Sequence, residues 1–313
     1  MSGSDPNILV QTHVHTMLGH LPGVFDGDVE SVHQARIATR RLREVLPLVG
    51  SDDPSASRAA EMLRDAGRAL GRVRELDVMR GMLEQAFDRV PAAAVLVAEC
   101  RRAVQREQLD ARRAMVKTIE VLELPKLGAL LSRTHRPAWW HHRSAATAWR
   151  AALQERIAER ADEMKQTVQH ATGVYFPNRS HSARVAVKKL RYAVEVAQDT
   201  ALWTPPRLLK HLRGVQTRLG DIHDLQVLND RLDQLAGEPA ARTELLSVLT
   251  SSLQSDIARH HAEYVSRRDR LFAIAGACRR FADRRGRPYL RRPAIAASAA
   301  ALPLLFLSRR KIA

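Results

Sequence analysis

The sequence predicts an all-α fold built from two similar halves, and three observations carry that prediction. Apolar residues recur at helical spacing along nearly the whole chain, and strand-like alternation is almost absent. Ala, Leu, Arg and Glu abound, which favours helices. A basic motif occurs twice: residues 33–43 read H-Q-A-R-I-A-T-R-R-L-R and residues 181–191 read H-S-A-R-V-A-V-K-K-L-R. His33, Arg36, Arg40, Arg41 and Arg43 therefore recur as His181, Arg184, Lys188, Lys189 and Arg191, all at an offset of 148.

Taken in order, the pattern predicts a helix near 6–20 and the first motif helix at 28–49. Gly50-Ser51-Asp52-Asp53-Pro54 is a turn and a helix start. Helices follow at 55–89 and 91–121, with Pro91 as their boundary. Pro125, Gly128, Pro137 and Trp139-Trp140 mark a looser segment, 122–143, that links the halves. The second half opens with a helix at 144–172, and Pro177 precedes the second motif helix, which runs to about 200. Pro205-Pro206 starts a helix to 219, and further helices cover 221–235 and 239–285. Gly286-Arg287-Pro288 ends the folded part.

Each motif is amphipathic. At roughly 100° per residue, His33, Arg36, Arg40 and Arg43 share an arc of roughly 80°. Ala35, Ala38, Leu42, Val45, Leu46 and Val49 lie opposite, as do Ala183, Ala186, Leu190, Ala193, Val194 and Ala197 in the second copy. A solvated helix face is the bland reading of such a row. Solvated faces usually mix signs, because like charges at i,i+4 repel. Neither motif contains an acid. Stacked cations cost stability unless an anion offsets them, so two such rows point to anion binding.

The balance of the whole chain agrees. Its 313 residues hold 50 Lys and Arg against 34 Asp and Glu, a formal net charge of +16. That excess implies an acidic partner: nucleic acid, another polyphosphate or an anionic membrane. A hydrophobic share of 45% supplies a real core. Cys100 and Cys278 read as reduced, helix-packed thiols that demand neither disulfide nor metal. Residues 1–19 show no basic start followed by an apolar run, so a cytoplasmic protein is the default expectation. The stretch from Ala294 to Leu307 is apolar apart from Ser298, broken by Pro303 and flanked by Arg291-Arg292 and Arg309-Arg310-Lys311. It is shorter than the roughly 20 residues of a bilayer span. It reads as a docked or disordered tail, with an interfacial or granule-surface anchor as the minor alternative.

The repeat extends beyond the motif. Leu63-Arg64 matches Leu212-Arg213 at an offset of 149, and residues 70–78, L-G-R-V-R-E-L-D-V, match 219–227, L-G-D-I-H-D-L-Q-V. Each half is thus a motif helix, a helix ending at Leu-Gly, an acidic turn and another helix. Such repeats imply two similar units around a pseudo-twofold axis. Glu75, Asp77, Asp221 and Asp224 are expected to orient the motif arginines through ion pairs or to cap helices, rather than to hold a divalent metal.

The paired H-x-A-R-x-A-x-[RK]-[RK]-L-R helices, each followed by L-G-x-x-x-[ED]-L-x-V, resemble the CHAD family, the conserved histidine α-helical domain. The resemblance covers about residues 5–285, with halves of about 5–136 and 144–285 and a tail of 286–313. It implies two pseudo-twofold-related four-helix bundles whose motif helices line one central basic cavity. It also implies binding of inorganic polyphosphate, often on polyphosphate granules with their associated proteins. The E-x-E-x-K signature of the triphosphatase-type domain fused to some members is absent.

The chemistry of the motif suits that ligand on its own terms. Polyphosphate is a linear polyanion with no bases to read, so a binder needs a row of cations and little else. Arg grips phosphate oxygens bidentately, and Lys acts as a point charge. His33 and His181 donate when neutral and add charge below about pH 6.5, or are helix-start residues bonded to an acid. The candidate ligands are His33, Arg36, Arg40, Arg41, Arg43, His181, Arg184, Lys188, Lys189 and Arg191. Arg64 and Arg213 join them as equivalent positions, and Lys210 and Arg218 are weaker additions. His13-x-His15, His141-His142 and His260-His261 lack the companions of a metal site. No nucleophile–base pair, GxxxxGK[ST], HExxH or GxSxG is present, so neither a catalytic role nor a cofactor is expected. Nucleic-acid binding is the alternative. The 4% aromatic content gives few stacking platforms, and no helix-turn-helix or finger spacing occurs, so no specific nucleic acid is expected. A polyphosphate-processing enzyme is the third reading.

Overall fold

Prolines set the starts of several helices in the computed structural model, which describes residues 6–49, 54–89, 94–134, 143–234 and 240–284. Pro6, Pro54, Pro177 and Pro206 each open a helix, where the missing N–H costs nothing and the fixed φ is already helical. Phe176, before Pro177, is extended at φ −133° and ψ 122°, as the proline ring requires. The first motif helix starts differently. Gly27 takes φ +76°, and the Asp28 carboxylate then accepts the Ser31 N–H at 2.8 Å, capping the helix.

The described residues form eleven helices and no strand. In the first half these are α1 (Pro6–Gly19), α2 (Leu21–Phe25), α3 (Val29–Val49), α4 (Pro54–Arg89), α5 (Ala94–Leu122) and α6 (Leu124–Thr134). The second half has α7 (Arg143–Ala171), α8 (Pro177–Asp199), α9 (Pro206–Asp233), α10 (Ala240–Val265) and α11 (Arg268–Ala282). α1, α3, α4 and α6 pack as one bundle; α7, α8, α9 and α11 make the other, with α11 against α7. The neighbours α1–α3, α3–α4 and α4–α5 recur as α7–α8, α8–α9 and α9–α10. The halves meet where α3 touches α8 and α7 and where α4 touches α9.

Burial follows the apolar stripes read from the sequence. Every stripe residue of α3 and α8 named above is at most 5% exposed. They belong to one large core that runs through both halves. A second, smaller core has another origin: Leu76, Leu83 and Leu96 of the α4–α5 arm pack with Leu228, Leu232 and Leu249 of the α9–α10 arm.

Three sequence expectations are corrected. The looser segment 122–143 contains a helix, α6, because Leu124, Leu127 and Leu131 recur at helical spacing and are buried. The helix expected at 239–285 is two, parted by a turn at Ser266–Arg267 that leaves α11 free to pack on α7. Gly71 and Gly220 begin no turn: both lie inside the unbroken helices α4 and α9, so 206–219 and 221–235 are one element. Helix propensity disfavours glycine by only about 1 kcal/mol, which packing along a long helix readily overrides. His141-His142, Trp139-Trp140 and the tail 286–313 lie outside the described residues.

Candidate functional site

Because α3 and α8 carry their apolar stripes into the core, their basic rows are left facing one shared space. A cavity of about 460 Å³ is lined by Arg36, Arg40 and Arg43 of α3 and by Lys188, Lys189 and Tyr192 of α8. Arg36 also borders a second compartment of about 360 Å³, lined by Arg184, by Arg74 and Glu75 of α4, and by His223 and Asp224 of α9. The two compartments thus meet at Arg36. Gly67 and Gly71 of α4 flank the row: an added methyl group would lie 3.7 Å from the Arg43 guanidinium at Gly67 and 3.7 Å from Arg36 Nε at Gly71, both ordinary contact distances.

The cations crowd one another in a partly dry setting. Desolvation lowers the Arg36 pKa; Glu75 opposes that effect, and Arg184 adds to it. Burial, then Arg36 and Arg191, bring Arg40 down to about 9. Burial, then Arg184, Arg40 and Arg36, bring Lys188 from 10.5 to about 8. No carboxylate among the described residues is paired with Arg36, Arg40, Arg184 or Lys188. The hydroxyl of buried Tyr192 accepts a hydrogen bond from Arg40, and the ring lies 5.1 Å from the Arg40 guanidinium and 4.4 Å from that of Arg191. Tyr192 therefore holds the direction of Arg40 by a hydrogen bond and a cation–π contact.

Other residues of the predicted row are engaged elsewhere. Arg41, Arg191 and Arg213 converge on Glu195, which is 2% exposed, at 2.9, 2.9 and 3.0 Å. Arg41 also pairs with Asp199 at 3.5 Å. A buried carboxylate needs such partners, and Arg41 comes from the first half, so this cluster ties the halves together. Lys189 pairs with Glu163 at 2.7 Å, although it still borders the cavity. Arg64 is exposed beside Glu61 at 3.8 Å and lines neither compartment. Of the weaker additions, Arg218 pairs with Glu263 at 2.7 Å. The site the structure assembles is accordingly narrower than the predicted set: Arg36, Arg40, Arg43, Arg184 and Lys188 at its centre, with Lys189 at its border.

The two histidines sit at matching places. His33 feels Arg74, and His181 lies 5.5 Å from His223, ring to ring; residues 74 and 223 are themselves related by the 149 offset. Desolvation, then those neighbours, lower both pKa values, which favours neutral rings near pH 7, each with one N–H able to donate. Glu75 and Asp224 act on Arg36 electrostatically, as expected in kind, but without an ion pair within 4 Å. Asp77 bonds Gln108 and pairs with Arg112 at 3.6 Å, Asp221 pairs with Arg218 at 3.6 Å, and Asp224 contacts His223 at 3.1 Å. None of these acids pairs with a motif arginine, and none caps a helix, since all lie in helix interiors. Among the described residues, no group of three or more His, Cys, Asp or Glu could hold a metal ion. No described helix is long and apolar enough to cross a membrane.

Sequence reasoning missed Arg74, Tyr192 and Arg160. Arg160, on α7, reaches Glu44 of α3 and donates to the Lys189 carbonyl at 3.0 Å. Arg74 carried a signal, because it matches His223 within the second repeated segment. Tyr192 directly follows the motif, and nothing in the sequence marked Arg160.

The CHAD domain family model matches residues 8–233, well over half of the chain. The chain belongs to the CHAD domain family. The crystal structure of the CHAD domain from the plant Ricinus communis is similar at a TM-score of 0.55 and 22% identity, over 87% of this chain and 90% of that one. PptA from Streptomyces chartreusis is similar at a TM-score of 0.60 and 18% identity, over 88% of this chain and 99% of that one. These likenesses establish the fold. No curated protein matches this CHAD chain.

Proposed function

We propose that this CHAD protein is a non-catalytic binder of inorganic polyphosphate, held on polyphosphate granules in the cytoplasm. One observation carries the reading: Arg36, Arg40, Arg184 and Lys188, from two helices, line two compartments that meet at Arg36, without a paired carboxylate among the described residues. Like charges in a half-dry space repel, and a polyanion offsets that cost along its whole length. Arginine at three of the four positions suits bidentate contacts to phosphate oxygens. The family resemblance supports the same ligand and the granule location.

The test compares affinities for long-chain polyphosphate and for duplex DNA in one buffer near physiological salt, because backbone-driven binding depends steeply on salt. Polyphosphate should win per phosphate, and changing Arg36, Arg40, Arg184 and Lys188 to Ala should abolish binding with native helical circular dichroism. Equal competition by DNA refutes the specificity and leaves a general polyanion binder. Release of phosphate from polyphosphate and Mg²⁺ would refute the non-catalytic part. Failure to co-localise with stained granules would refute the location.

A further inference from the structure

The two compartments that share Arg36 differ in chemistry, and the difference bears on the ligand class. The compartment around Arg40 and Lys188 suits phosphate alone: its one carboxylate, Glu44, is already held by Arg160. The compartment towards the arms does not. Glu75 and Asp224 line it; both favour the charged form of Arg36, yet within 4 Å Glu75 has no ion-pair partner among the described residues and Asp224 contacts only His223. Beside its charged lining it has an apolar wall: Val78, Met79 and Met82 from α4 face it together with Val227 from α9. Val227 is 40% exposed, an aliphatic surface left open at a polar site.

Inorganic polyphosphate satisfies the arginines of this compartment and nothing else in it. It has no hydrogen-bond donor for the carboxylates, which repel it, and no carbon surface for valine and methionine. A nucleoside has both. Ribose hydroxyls and an exocyclic amine donate to carboxylates, while a base presents a flat face to branched aliphatic and thioether side chains. At about 360 Å³ the compartment lies in the small-ligand range. Arg36, Arg74 and Arg184 stand where the attached phosphates would continue towards Lys188.

We infer that the arm-side compartment takes the nucleoside of a nucleoside polyphosphate whose phosphates occupy the shared cationic row. The inference uses the same cations as the polyphosphate reading, so the experiment must separate the two. Calorimetry on the full chain compares adenosine triphosphate with inorganic tripolyphosphate, which has the same number of phosphates and no nucleoside. The expected result is about tenfold tighter binding of adenosine triphosphate, equivalent to about 1.4 kcal/mol. Val227→Ser, a change at a half-open position, should remove most of that advantage and leave tripolyphosphate unchanged. Lys188→Ala should weaken both.

Tripolyphosphate binding as tightly as adenosine triphosphate, with Val227→Ser silent for both, overturns the inference. Long-chain polyphosphate, measured on the same preparations, then shows whether the broader reading survives: retained binding upholds it, and absent binding sinks it too. Inositol hexakisphosphate has phosphates but no base. If it binds as tightly as adenosine triphosphate and is equally indifferent to Val227→Ser, the nucleoside assignment also falls.

Discussion

Replacing Lys188 with methionine should stabilise the ligand-free protein while it damages anion binding. The side chain keeps its approximate length and loses its charge. In the fold, burial and the Arg184, Arg40 and Arg36 guanidinium groups bring the ammonium from 10.5 to about 8. A displacement of that size is worth about 3 kcal/mol, and water in the open cavity reduces the usable part to about 1–2 kcal/mol. The sign follows from linkage. A cation whose pKa is depressed by folding penalises the fold fully below about 8, and the penalty fades as pH rises to 10.5. Thermal unfolding followed by circular dichroism should therefore show the variant melting roughly 2–5 °C higher near pH 7. The advantage should shrink as pH rises above about 8 and vanish only above about 10.5, where wild-type Lys188 is neutral in both states. A variant that melts lower near neutral pH, or keeps its whole advantage at alkaline pH, would show that Lys188 is not held against its neighbours' repulsion.

Three further outcomes are expected. Glu195→Ala should cost about 3–5 kcal/mol in denaturant unfolding, because it leaves Arg41, Arg191 and Arg213 facing one another around a buried gap; a loss under 1 kcal/mol would refute the hub. Gly220→Ala should stabilise the protein by about 0.5–1 kcal/mol, since the position is mid-helix and nothing lies within 4 Å of the added methyl; destabilisation would restore the turn that the sequence suggested. Polyphosphate affinity should fall as pH rises above about 8, and Lys188→Arg should flatten that dependence; a pH-independent affinity in the wild type would remove Lys188 from the site.

Much of this was legible in the sequence, for identifiable reasons. Helical spacing is a local property, so Leu42, Val45 and Leu46, with Leu190 and Val194, announced their burial. The repeat placed Arg36 beside Arg184 because matching positions in two similar units meet where the units meet. Which arginine is free, however, is a question of partners distant in sequence. Arg41 and Arg40 are neighbours in one basic pair, yet Glu195, 154 positions beyond Arg41, takes one and leaves the other to the cavity. The glycines misled for the opposite reason. Gly71 and Gly220 look like punctuation locally, and only the length of α4 and α9 shows that the chain passes straight through them.

The smaller apolar core has a consequence for how the chain can be divided. Its leucines come from both arms, so neither arm covers its own apolar face. A chain cut between α6 and α7 would yield two pieces, each with an open leucine face and half of the basic row. Their most economical repair is mutual: each piece finds its missing wall on the other, and co-expressed pieces should reassemble. A first-half piece made alone has only copies of itself to pair with, so self-association is its expected fate.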